Sequence, residues 1–112
     1  MTFTYNLAHA TASIVLISKV RLEIGDTVSG TGIRPDGTNL TDEEITVWLD
    51  LEDDDVMLAA ARACDAMSRA WSVVANETVG PRKTEYGKVS GDFEKRASSL
   101  RETYARPTAY VL

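Results

Sequence analysis

The sequence predicts a mainly α fold: a small helical bundle of about four helices, with a long loop and a short extended, β-hairpin-like segment before the last helix. Three observations carry this. Residues Leu40 to Ile45 spell a complete helix start. Met57, Ala60, Cys64, Met67, Trp71 and Val74 recur at spacings of three and four, the mark of one helical stripe. Phe93, Ala97, Leu100 and Tyr104 repeat that spacing in a charged final segment.

Residues 1–12 are polar and aromatic without a period and read as an N-terminal arm, ordered only where a neighbour holds it. His9 has no Cys, Asp or second His at ligand spacing, so no metal site is expected there. Residues 13–24 are ambiguous. Lys19 to Ile24 alternate strictly, which favours a half-buried strand, yet Ile17, Val20 and Ile24 share one helical face. Periodicity leaves both open. From Asp26 to Asn39, Gly30, Gly32, Gly37 and Pro35 mark a loop longer than most connections, of a kind that is usually functional or mobile. Gly30-Thr31-Gly32 is not followed by Gly-Lys-Ser/Thr, so it is not a phosphate-binding loop.

The second helix has the cleanest local signal. Thr41 is placed to accept from the Glu44 N–H while the Glu44 side chain returns to the Thr41 N–H, and Leu40 is placed to pack on Ile45. Ile45, Trp48 and Leu49 form its expected buried face. Glu52-Asp53-Asp54-Asp55 looks like a metal cluster, but acidic residues between two helices are what capping and the helix dipole select without an ion. The third helix runs from Asp55 to about Asn76, with a polar stripe opposite the apolar one, where Arg62, Asp65 and Arg69 are spaced to pair. Residues 78–90 contain Gly80, Pro81 and Gly87 among Arg82, Lys83, Tyr86 and Lys88, a composition that suggests an exposed loop with short extended pieces. Asp92 then caps the fourth helix and Pro107 ends it. The expected organisation is an arm (1–12), a helical domain (13–106) and a tail (107–112).

Length and composition narrow the function. A chain of 112 residues fits one domain with its own core. A net charge of -5 argues against a general nucleic-acid coat. The longest early apolar run, Ile14 to Ile17, is far short of a membrane span. The single cysteine, Cys64, reads as core filler. Catalytic motifs are missing: no Gly-x-Ser-x-Gly, His-Glu-x-x-His or Cys-x-x-Cys occurs, so no enzyme, cofactor or metal is expected. A helix-turn-helix around Asp53 offers an alternative reading as a small DNA-binding protein. Its recognition helix would open Asp55-Val56-Met57-Leu58-Ala59, which is negative and apolar where base-reading side chains belong. An unspecified helical interaction module is the remaining alternative.

The order Val20-Arg21-Leu22-Glu23-Ile24-Gly25-Asp26-Thr27, then a glycine-rich loop, then Leu40-Thr41-Asp42-Glu43-Glu44-Ile45, resembles the small head-tail connector (adaptor, head completion) proteins of tailed bacteriophages. The likeness continues through the Ala-rich helix from Asp55, the stretch around Tyr86 to Ser90 and the charged helix from Asp92. It implies that residues 13–24 are helical, with Gly25 at a left-handed C-terminal cap. It implies a structural virion protein without cofactor or catalytic residues, forming a homo-oligomeric, dodecameric ring in the neck of the virion. Such a ring binds the phage portal, extends the DNA channel and offers a platform to a downstream tail-completion or stopper protein. DNA passes through without sequence-specific binding, and no membrane is involved. Arg82, Lys83 and Lys88 are candidate contacts to an acidic portal surface or to DNA phosphate, and Tyr110, Val111 and Leu112 to the portal or a neighbouring subunit. The loop at 27–38 and the extended arm depart from the family pattern.

Overall fold

A computed structural model of the chain describes residues 2–104. They form α1 (Ala12–Ile24), α2 (Asp42–Leu51), α3 (Val56–Glu77) and α4 (Arg82–Tyr104). The mainly α fold is as the sequence predicts. Among the described residues the only β pairing is an isolated bridge between Val28 and Thr31.

The ambiguity of residues 13–24 resolves to helix. Ile17, Val20 and Ile24 are buried on one face together with Ser18 and Arg21, whereas Lys19 and Leu22 are exposed. Burial of that helical stripe outweighs the β preference of its branched residues. Gly25 ends α1 at φ 80, a left-handed cap whose backbone N–H returns to the Arg21 carbonyl.

α2 opens on the expected capping box. The Glu44 N–H donates to Thr41 Oγ1 at 3.1 Å and the Thr41 N–H to Glu44 Oε1 at 3.0 Å. Leu40 and Ile45 are both fully buried in the core, as a hydrophobic staple requires. Between α2 and α3, Asp53 and Asp54 take positive φ values of 53 and 63. Asp tolerates this left-handed region better than most residues. Asp55 accepts from the Met57 and Leu58 N–H groups and so caps α3.

α3 is the central element and is buried on more than the single predicted stripe. Leu58, Ala59, Ala61, Ala63 and Ala75 are buried in addition to Ala60, Cys64 and Met67. It is covered by α1 and α2 on one side and by α4 on another, and its alanines let these neighbours approach. Its polar residues do not pair along the helix as expected. Arg62 instead bonds Glu52, and Asp65 bonds Arg101 of α4.

α4 is the largest departure from expectation. Residues 82–90 are helical, so the extended segment is not there, and Asp92 lies mid-helix instead of capping. Gly80 and Pro81 form the first turn: the Lys83 N–H bonds the Gly80 carbonyl and the Thr84 N–H the Pro81 carbonyl. Pro just ahead of a helix is favourable, because its missing N–H has no partner there anyway. The contacts Trp71 with Tyr86, Ser68 with Ser90 and Asp65 with Arg101 show that α4 runs antiparallel to α3. Ala97 is its one buried residue, Phe93 and Leu100 pack at the edge of the core, and Tyr104 is substantially exposed.

Candidate interaction surface

Two segments, Val20 to Thr27 and Leu40 to Ile45, converge on Arg21. As part of the α1 stripe it points inward and is fully buried. A buried guanidinium is tolerable only if its donors are matched. Here Nη1 donates to Asp26 Oδ2 and to the Leu40 carbonyl, both at 2.8 Å. Nη2 donates to Asp42 Oδ1 at 2.7 Å, and Nε to the Thr4 carbonyl at 2.9 Å. The Phe3 ring lies 4.1 Å from the guanidinium carbon, within cation–π range. No buried side-chain polar atom is left unpartnered among the described residues.

The network organises the loop after α1. Asp26 Oδ2 also accepts from the Leu40 N–H at 2.9 Å, so the two loop ends are joined through one carboxylate. Asn39 donates to Asp26 Oδ1 and the Val28 carbonyl while accepting from the Gly30 N–H. The Gly32 N–H bonds the Gly37 carbonyl, and the Trp71 indole N–H bonds the Ile33 carbonyl at 2.9 Å. The loop is therefore held at both ends and on α3, with Ile33 packed against the core. At Gly32 an added Cβ would lie 1.9 Å from the Thr38 carbonyl oxygen, so only glycine fits.

The arm is held by its own chain. The Thr4 N–H and Oγ1 donate to the two oxygens of Asp42, the Thr2 N–H donates to Glu43, and the Asp42 N–H returns to the Thr2 carbonyl. The Asn6 N–H donates to Ser18 Oγ at 2.8 Å. Burial pushes the Asp42 carboxyl up, but the hydrogen bonds from Arg21 and Thr4 outweigh it and hold it below its ordinary value. Glu44 behaves alike: burial raises it, and the Thr41 N–H and Arg34 lower it further than that.

The basic candidates Arg82, Lys83 and Lys88 are exposed on the first two turns of α4. At about 100° per residue they spread around the helix axis and do not form one patch. Tyr110, Val111 and Leu112, with Pro107, lie outside the described residues. The structure adds apolar candidates that the sequence reading passed over. Val47 and Leu51, four apart on α2, and Leu22 on α1 are each more than half exposed. The signal was present in the spacing of Val47 and Leu51 beside the buried Ile45 and Leu49, whereas Trp48, expected on the buried face, is only partly buried.

The chemistry available is limited. Cys64 is buried and its thiol is pushed up to about 11 by desolvation, which leaves it unreactive near neutrality. His9 sits exposed on the arm, its Nδ1 accepting from the Thr11 N–H. Among the described residues no three His, Cys, Asp or Glu side chains are placed to hold a metal ion. None of the described helices is long and apolar enough to cross a membrane. None of the protein-family models, curated proteins or solved structures compared with the chain matches it.

Proposed function

We propose that this chain is a structural protein of the phage neck, a connector subunit that assembles as a dodecameric ring on the portal and prolongs the DNA channel toward the tail. The observation that carries this reading is the convergence of the likeness-bearing segments. Gly25-Asp26, the glycine-rich loop and the Thr41-Asp42-Glu43-Glu44 helix start are joined through Arg21. Residues that give the sequence its resemblance thus build one hydrogen-bonded corner and the loop it holds. A closed ring needs one patch to meet a different patch on the next copy, and the exposed parts of the loop, the half-exposed Val47 and Leu51 of α2 and the charged α4 turns supply unlike surfaces.

The DNA-binding alternative has less support. The start of the would-be recognition helix is buried at Leu58, Ala59, Ala60 and Ala61, so it does not present side chains to a groove. The test is electron microscopy and sedimentation of the purified chain, alone and mixed with the portal from the same genome. Rings, or added density on the portal's lower rim, are the expected result. A monomer that ignores the portal would overturn the reading.

A further inference from the structure

We infer that the corner formed by Arg21, Asp42 and Glu43 is a docking site for an extended peptide, occupied here by the chain's own arm and open to the same arm of a second copy. This goes beyond the connector reading, since it concerns how copies join and applies to an assembly with any task.

The site reads backbone. Thr2 offers its N–H to Glu43 and its carbonyl to the Asp42 N–H, while Thr4 offers its N–H to Asp42 and its carbonyl to Arg21 Nε. These are alternate residues, as in an extended segment that turns one edge to its receptor. Side chains add selectivity: the Phe3 ring covers the guanidinium, and Thr4 Oγ1 donates to Asp42 Oδ2 at 2.7 Å. If the arm leaves, Arg21 Nε and the Asp42 oxygens lose those partners in a mostly buried setting, so the site demands an occupant with this pattern. The arm of an identical chain carries it by definition.

The connection permits the exchange. Residues 7–11 are all exposed, and their hydrogen bonds are local ones, from the Ala8 and His9 N–H groups to Asn6, from the Thr11 N–H to His9, and from the Ile14 and Val15 N–H groups to the Thr11 carbonyl at the start of α1. Straightened, these five residues span up to about 17 Å. That matches the thinnest dimension of the molecule, 17 Å, and reaches a copy packed alongside. Contacts made to self and to neighbour are the same, so effective concentration decides between them. A dilute chain keeps its arm at home; copies held side by side pass it on, each to the next.

Removing Ala8, His9 and Ala10 deletes the reverse turn that folds the arm back. The expected result is concentration-dependent assembly in sedimentation, which Thr4→Pro in the same chain reverses by removing the N–H and hydroxyl that Asp42 accepts. In the complete chain at high concentration, a mixture of differently isotope-labelled copies should show nuclear Overhauser contacts between the Phe3 ring of one copy and Arg21 of another. A folded, monomeric deletion variant overturns the inference. Should the deletion prevent folding, the mixed-label experiment decides, and contacts confined to single copies then overturn it. Neither readout involves the portal, so failure here leaves the connector reading to its own test.

Discussion

Arg21 is the residue on which the loop, the helix start and the arm depend together. Its four donated bonds reach four different acceptors in a forked, planar arrangement. Lysine offers a single ammonium and cannot span them. Arg21→Lys is therefore expected to cost about 1–3 kcal/mol, and Arg21→Ala about 3–5 kcal/mol because two carboxylates are left buried without their cation. Urea unfolding monitored by helix content measures both. The same corner sets the acid response. Asp42 and Glu44 both titrate below their ordinary values of 3.8 and 4.5, so their contribution is complete above those values and is lost as pH falls through the lowered ones. Thermal stability should decline on acidification through that range, and Asp42→Asn should shrink the decline. An unchanged pH profile in that variant would locate the acid sensitivity elsewhere. The sequence did carry a sign of Arg21: once residues 13–24 are taken as helix, it lies four after Ile17 and three before Ile24, inside the apolar stripe. Strict alternation at Lys19 to Ile24 masked it, because in a strand the same residue points to the solvent.

At the scale of elements, legibility followed local encoding. α2 and its cap were readable because Thr41, Glu44, Leu40 and Ile45 determine the start within six residues. α3 was readable from its period, but not its second buried side, since alanine signals neither face. The start of α4 was misread because Gly80, Pro81 and Gly87 are breakers by propensity. Tertiary contact overrides them: Tyr86 lies against Trp71, with ring centroids 5.6 Å apart, and Ser90 Oγ donates to the Ser68 carbonyl at 2.8 Å. Gly87 and Gly91 nevertheless remain weak points, with open space where a Cβ would stand. Gly87→Ala and Gly91→Ala are each expected to stabilise the chain by about 0.5–1 kcal/mol, seen as a higher unfolding midpoint. Loss of stability in either variant would mean that α4 is not helical there. Gly32→Ala should act in the opposite sense, because its Cβ collides with Thr38 backbone. Amide exchange should rise across the loop from Asp26 to Asn39 while α2 and α3 keep their protection.

The whole molecule is flat, 48 × 38 × 17 Å, with α4 packed on α3 alone. A 23-residue helix with a single buried residue is thinly covered for a terminal layer, and most of its surface is left for contact with something else. Among the described residues the core ends at Ala97, with Phe93 and Leu100 beside it. The sequence also holds Tyr110, Val111 and Leu112, the candidate contacts to a neighbouring subunit or to the portal, and apolar side chains gain by burial. On the connector reading, removing residues 108–112 is expected to abolish ring formation on the portal while the helix content and unfolding midpoint stay unchanged. Normal assembly of the shortened chain would assign subunit contact to the surfaces already visible: the exposed parts of the loop, the exposed Val47 and Leu51 of α2, and the exchangeable arm. A lowered unfolding midpoint would show instead that the tail packs on its own subunit. The outcome thus separates a tail that joins copies from one that completes a single copy.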